Sequence, residues 1–169
     1  MRAWKDVPAE FGLVLAAGSP DEEGIGNEVA ALIAELQSTR SNVWWIKDML
    51  PHDQLTAMLT AADLFVCPSI YEPLGIVNLE AMGCETAVLG SRVGGIPEVV
   101  ADKETGELVD YHGEAAPFEK SLTESITRLM SQPELLKKYG AAGRVRAQKL
   151  FGWDAVAALT VDLYRKVIG

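Results

Sequence analysis

The 169-residue chain has few residues of the kinds that bind metals or form disulfides. It contains two cysteines, Cys67 and Cys84, and two histidines, His52 and His112. Neither pair has the spacing of a zinc site or a redox motif. We therefore expect no metal site and two free thiols in a reducing, cytoplasmic compartment.

The chain also lacks long apolar runs and an excess of positive charge. No stretch approaches the roughly 18 apolar residues needed to cross a bilayer, and no signal peptide is expected. Lysine and arginine number 15 against 24 acidic residues, a net charge of −9, which disfavours nucleic acids and anionic membranes as partners. Hydrophobic residues make up 49% of the chain, enough for the core of one domain.

Short apolar segments alternate with amphipathic segments over most of the chain. The apolar segments predict strands because they are brief and bounded by loop residues; they span 11–18, 42–46, 64–67, 86–89 and 106–109. The segments between them carry apolar residues at helical spacing, and further helices are predicted beyond the last strand. Strands that alternate with helices predict an α/β fold with a doubly wound, Rossmann-like parallel sheet.

The segment after the third predicted strand carries the strongest functional signal. Of two glutamates there, Glu72 lies in the loop after this strand, and Glu80 lies inside a helix that we expect to begin near residues 73–74. The free N–H groups and positive dipole of a helix start favour a phosphate there. Gly75 has no Cβ and would let a phosphate approach the backbone. The order of carboxylate, helix start and second carboxylate matches the order of sugar, pyrophosphate and ribose in a sugar nucleotide. The alternative interpretation is that both glutamates are simply solvated.

This segment and those that follow it resemble the E-x7-E signature of retaining glycosyltransferases with the GT-B fold, the group of bacterial glycogen synthases and sucrose synthases. The matching stretches occur in family order at 72–75, 78–82, 94–100, 105–109 and 151–154. The resemblance covers almost the entire chain and is strongest to the actinobacterial-type glycogen synthase, which uses ADP-glucose. It implies one domain over 1–169, the donor-nucleotide half of such an enzyme, without its first strand and without the N-terminal acceptor domain.

The resemblance implies roles for five residues around the expected helix start. Glu72 would be the catalytic carboxylate that contacts hydroxyls of the transferred sugar, and Glu80 would accept hydrogen bonds from the ribose hydroxyls. Leu74, Gly75 and Ile76 would offer backbone N–H groups to the distal phosphates.

Two further loops are implied to contact the donor. Gly94 and Gly95 would let a second loop approach the ligand, with ordinary turn geometry as an equal alternative. Ile46, Lys47 and Met49 lie where the family holds the base, with a plain strand-to-helix connection as the alternative.

The activity implied by the resemblance is retaining transfer of glucose from ADP-glucose to an α-1,4-glucan. No metal or cofactor is implied, since a helix dipole and basic side chains would neutralise the leaving diphosphate. Three alternatives stay open: a UDP-glucose donor, a small sugar acceptor with maltose 1-phosphate as product, and a non-catalytic module that binds nucleotide sugars. The acceptor domain and the family's basic pair cannot be located here, so we expect weak nucleotide binding and no transfer by this chain alone.

The strand that the resemblance places outside the chain would lie at the centre of the sheet. Without it, the strands around Leu13 and Phe65 lose their shared neighbour. We expect them to pair with each other or with a strand of another molecule, which would give a strand-exchanged homo-oligomer. The last helix, with Trp153 and Tyr164, is expected to expose an apolar face.

Overall fold

The computed structural model describes residues 1–18, 20 and 22–168, and its strands alternate with helices as the sequence predicts. The strands are β1 (Leu13–Ala16), β2 (Val43–Ile46), β3 (Leu64–Cys67), β4 (Ala87–Ser91) and β5 (Gly106–Val109). The helices are α1 (Glu23–Thr39), α2 (His52–Ala61), α3 (Ile76–Gly83), α4 (Ile96–Val99), α5 (Ala115–Met130), α6 (Pro133–Arg146) and α7 (Trp153–Ile168). A 3₁₀ helix at Arg2–Asp6 precedes β1, and a π-helical turn at Ala147–Phe151 follows α6.

These strands form two parallel sheets rather than one. β1 pairs with β2, with Leu13 opposite Val43, and the second sheet has the order β3-β4-β5. The α/β class with parallel strands is therefore confirmed. The expectation that β1 and β3 pair with each other is wrong for this chain. Within its described residues, β1 pairs only with β2, and β3 pairs only with β4.

The larger sheet has apolar side chains packed on both faces. Leu89 of β4 belongs to a cluster with the 3₁₀ helix and α5, whose buried members include Trp4, Val7, Leu122, Ile126 and Leu129. Its neighbour Val88 belongs to a second cluster beneath α3 and α4, with Ala81, Met82, Ile96, Val99 and Val100. Successive strand residues point to opposite faces, so β4 is covered on both.

The first core cluster also joins the two sheets. Leu13 of β1, Val43 of β2 and Val66 of β3 all pack on this one cluster. Burying a side chain of this size contributes about 1.5–3 kcal/mol. β1 and β3 are therefore held against one core although they do not pair with each other.

A buried carboxylate joins the larger sheet to two helices. Glu107 of β5 is 3% exposed; it accepts hydrogen bonds from Arg128 of α5 and from the Tyr139 hydroxyl of α6 (3.3 Å), and lies 2.7 Å from Lys103 Nζ. Burial raises the pKa of Glu107, but the hydrogen bonds from Arg128 and Lys103 outweigh it and hold that pKa below its ordinary value. The carboxylate therefore remains charged and links β5 to α5 and α6.

The last helix is exposed along its whole length. None of its described residues is buried, and Trp153 and Tyr164 are among the exposed large hydrophobic side chains. The predicted apolar face on this helix is confirmed.

Candidate functional site

The loop between β3 and α3 ends at Gly75, which adopts the left-handed conformation with φ +89°. This conformation favours glycine because a Cβ would be strained there. The helix begins only at Ile76, so the expected start near residues 73–74 is wrong: Gly75 turns the chain before helical geometry is possible. The first N–H groups of α3, those of Ile76 and Val77, have no intrahelical acceptor.

Glu72 lies against this helix start. Its Oε1 accepts the N–H of Gly75 at 3.1 Å, and its backbone carbonyl accepts the N–H of Gly95 at 3.0 Å. A negative charge at a helix N-terminus is stabilised by about 0.3–1 kcal/mol. The structure thus places a carboxylate where the sequence predicts an anion.

Gly94 and Gly95 let the loop after β4 pack directly on the Glu72 turn. An ideal Cβ on Gly94 would lie 1.8 Å from the carbonyl oxygen of Glu72, and one on Gly95 would lie 2.5 Å from the carbonyl oxygen of Pro73. Gly94 also has a positive φ of 51°. Loop packing alone therefore requires both glycines, and their contact with a ligand stays a prediction.

Glu80 lies in the second turn of α3, roughly 6 Å along the axis from Ile76 at about 1.5 Å per residue. It is half-buried, and its carboxylate forms no ion pair or hydrogen bond with the residues that the structure describes. Leu74 and Ile76 expose their side chains, and contact of their backbone N–H groups with a ligand stays a prediction.

The predicted base-binding residues lie on the other sheet, at the end of β2. Lys47 Nζ lies 4.4 Å from the centre of the Trp45 ring, and Met49 is 87% exposed. Ile46 is the last residue of β2. The structure assembles Glu72 with the glycines, and no hydrogen bond between described residues joins the loop with Lys47 to the Glu72 turn.

The basic residue nearest in sequence to the second loop is already paired. Arg92 follows β4 and donates hydrogen bonds of 2.7 Å to Asp102 and to Asp110, and these raise the pKa of the guanidinium. Burial raises the pKa of Asp102, but the bonds from Arg92 and the Leu108 N–H outweigh it and lower that pKa. Arg92 is thus committed to structure.

Two polar residues of the site escaped the sequence analysis. The Ser91 hydroxyl, at the end of β4, donates a hydrogen bond to the carbonyl of Ser69 and so holds the loop that leads to Glu72. Asn78 of α3 is 0% exposed, and neither polar atom of its amide has a partner among the described residues. Asn78 opens the stretch at 78–82 that resembles the family, and that resemblance gave no role to its side chain.

Within the described residues, no group of three or more His, Cys, Asp or Glu side chains is placed to hold a metal ion. No helix of the described part combines the length and apolarity needed to cross a membrane.

Comparison with known proteins places this fold and site in a family. The family described as "Glycosyl transferases group 1" matches residues 12–146. The chain is 51% identical over 160 residues to the alpha-maltose-1-phosphate synthase of Mycobacterium tuberculosis, covering 94% of this chain and 41% of that protein. It is 36% identical to the D-inositol 3-phosphate glycosyltransferase of Segniliparus rotundus, covering 92% of this chain and 33% of that protein.

A solved structure gives the same result. The sucrose-phosphate synthase of Thermosynechococcus elongatus superposes with a TM-score of 0.80 at 31% identity, over 99% of this chain and 42% of that one. The chain belongs to the group 1 glycosyl transferases and has the fold of a GT-B C-terminal domain. It spans about two fifths or less of the length of these relatives.

Proposed function

We propose that this chain binds the donor of a glycosyl transfer reaction, a nucleotide diphosphate sugar, at the start of α3. The observation that carries the proposal is the Glu72 carboxylate on the Gly75 N–H. It marks the helix start as a place that already holds an anion. A diphosphate could replace it and also use the N–H groups of Ile76 and Val77, which suits the general preference of helix starts for phosphate.

The two glutamates take different parts of the donor in this proposal. Glu72, released from Gly75, turns to the hydroxyls of the transferred sugar and acts at the catalytic centre. Glu80 accepts hydrogen bonds from the ribose. Its support is a half-buried carboxylate that the described residues leave without a partner, since a carboxylate in such a place favours donors that a ligand brings.

For the whole reaction, we propose that the enzyme transfers glucose from ADP-glucose with retention and uses glucose 1-phosphate as acceptor, which gives maltose 1-phosphate. The support is the 51% identity to an alpha-maltose-1-phosphate synthase. The names of all three compared relatives also contain a phosphorylated sugar or cyclitol. The acceptor would bind a domain beyond these residues.

Transfer to an α-1,4-glucan, as in glycogen synthase, is the second candidate. Its support is the resemblance of the stretches at 72–75 and 94–100 to glycogen synthases. In this proposal the same stretches bind the donor in either reaction. A UDP-glucose donor is the variant of both, because base choice would lie with Ile46, Lys47 and Met49. A non-catalytic module that binds nucleotide sugars is the outcome if no acceptor is used.

Isothermal titration of this chain with ADP, ADP-glucose and UDP-glucose tests donor binding. We expect weak binding, since Arg92 is committed to Asp102 and Asp110 and cannot serve the diphosphate without breaking these bonds. Glu80→Ala should abolish measurable binding. Glu124→Ala, a change of an exposed glutamate on α5, is the matched control and should not alter it. Equal binding by the chain and by Glu80→Ala would contradict the ribose role.

The acceptor needs a separate assay in a polypeptide that carries this chain together with an acceptor domain. ADP-glucose would be supplied with glucose 1-phosphate or with glycogen, and the products separated. Maltose 1-phosphate as the main product supports the first candidate. Extension of glycogen alone would favour the second, and hydrolysis without transfer to either would argue against both.

A further inference from the structure

The Asn78 amide is the most unusual polar group in the described structure. It is 0% exposed, and both Nδ2 and Oδ1 lack a hydrogen-bond partner among the described residues. Leaving a buried amide unpaired is unfavourable relative to an apolar side chain of the same shape, because the amide gives up its hydrogen bonds to water and gains none. Leucine has the same branching at Cγ and would avoid this cost, so packing alone does not account for asparagine here.

The amide lies directly against the turn that holds Glu72. An ideal Cβ on Gly75 would be 2.6 Å from Asn78 Nδ2 and 3.6 Å from Glu72 Cγ. The amide nitrogen and the Glu72 side chain therefore flank the same point beside Gly75. In the structure Glu72 is turned to the Gly75 N–H instead, and the amide is left unpaired.

Resting on the proposed function, we infer that Asn78 is a positioning residue for Glu72. When the donor phosphates take the Gly75 N–H, the Glu72 carboxylate loses its only side-chain hydrogen bond within the described residues. Asn78 Nδ2 then donates to that carboxylate and holds it towards the transferred sugar. The buried amide is thus unpaired in the ligand-free protein and paired in the donor complex.

Three other hydrogen-bond donors around the turn are already in use and cannot replace the Gly75 N–H as the partner of the Glu72 carboxylate. Gly95 N–H is used by the backbone carbonyl of Glu72, and the Ser91 hydroxyl is used by the carbonyl of Ser69. Arg92 is held by Asp102 and Asp110. With the N–H groups of Ile76 and Val77 given to the diphosphate, Asn78 Nδ2 is a donor beside Glu72 that the described residues leave without a partner.

The test compares Asn78→Leu with the unsubstituted chain by thermal unfolding and by titration with ADP-glucose and with ADP. Met82→Leu, a buried and volume-conserving change on the same helix, is the matched control. We expect Asn78→Leu to unfold at the same or a higher temperature, because an unpaired amide is removed. Its affinity for ADP-glucose should fall on the order of tenfold, while that for ADP, which has no transferred sugar, changes by less than about twofold.

Each other outcome counts against the inference. A clear loss of stability in Asn78→Leu together with unchanged ADP-glucose binding would show a structural role only. Equal loss of ADP and ADP-glucose binding would show that the whole turn was disturbed. If leucine prevents folding, Asn78→Ala replaces it and must show the same selective loss for ADP-glucose. Failure of the unsubstituted chain to bind either ligand would instead overturn the proposed donor site, and the role of Asn78 with it.

Discussion

The two parallel sheets of this chain differ in how completely their strands are covered. All five residues of β4 are buried, and β4 has a partner on each edge. In β1 the residues alternate between half-buried and exposed, with Val14 47% exposed and Trp44, its partner on β2, 52% exposed. Parallel strands normally have both faces covered. By this measure the β3-β4-β5 sheet is the more complete one, although β3 has an unpaired edge, and the β1-β2 sheet is the less complete one.

This difference divides the candidate site. The Glu72 turn follows β3 of the β3-β4-β5 sheet. It is held by hydrogen bonds from Gly95 and, through Ser69, from Ser91. The loop with Lys47 and Met49 follows β2 of the β1-β2 sheet. Local stability follows buried contacts, so the Glu72 turn is preformed to a greater extent than the loop with Lys47 and Met49.

The two regions should differ most in the loss of stability when a glycine is replaced by alanine. Gly94→Ala would place a Cβ 1.8 Å from the Glu72 carbonyl oxygen at a positive φ, so we expect a loss of about 3 kcal/mol or more. Gly12→Ala would place its Cβ 3.2 Å from the edge of the exposed Trp44 ring, which can move, and should change stability by less than about 0.5 kcal/mol. Urea unfolding measures both. Similar losses would contradict the contrast.

Truncation of apolar side chains gives the next contrast. Leu89→Ala on β4 removes a fully buried side chain and should cost about 3 kcal/mol. Val14→Ala on β1 removes a side chain that is 47% exposed and should cost less than about 0.5 kcal/mol. Thermal unfolding of the two variants checks this. A large loss for Val14→Ala would mean that the β1 face is covered in solution, for example by another molecule.

Ion pairs provide a contrast that depends on pH. Glu107→Gln should cost about 2 kcal/mol at neutral pH, since Arg128 loses its buried partner. The folded-state pKa of Glu107 is below the ordinary 4.5, so its contribution is present above pH 4.5 and is lost as the pH falls through the folded-state pKa. Glu35→Gln, which breaks the exposed pair with Lys5 (2.7 Å), should cost less than about 0.5 kcal/mol.

Unfolding of Glu107→Gln and the unsubstituted chain between pH 7 and pH 3 checks the pH dependence. The two curves should approach each other below pH 4.5. A gap that stays constant over this range would show that the carboxylate charge does not stabilise the sheet.

The smallest change is expected in the amide exchange rates along the unpaired edges of β1 and β3. If a strand of another molecule pairs there, amide exchange in these two strands should slow a few-fold as protein concentration rises, while β4 stays unchanged. Hydrogen exchange at two concentrations, with the molar mass measured beside it, tests the strand-exchanged oligomer. Exchange rates that do not depend on concentration would exclude it.

Local pattern was enough for much of the fold. The strands at 64–67 and 106–109 were predicted with their observed bounds, because a short apolar run between loop residues determines a buried strand. The start of α3 was placed too early, because the left-handed Gly75 belongs to a turn that packs on Gly94 and Gly95. Such a contact between distant segments leaves no periodic signal in the sequence.

Local patterns in the sequence were sufficient to predict the order of strands and helices and to select Glu72, Gly75 and Glu80 as candidate site residues, since alternation of apolar runs and the spacing of two glutamates are local properties of the chain. Tertiary packing, by contrast, set the division of the strands into two sheets. It also decided that Glu72 rests on the Gly75 N–H and that the Asn78 amide is buried without a partner. Burial and hydrogen-bond pairing depend on segments brought together in space, which local pattern does not encode.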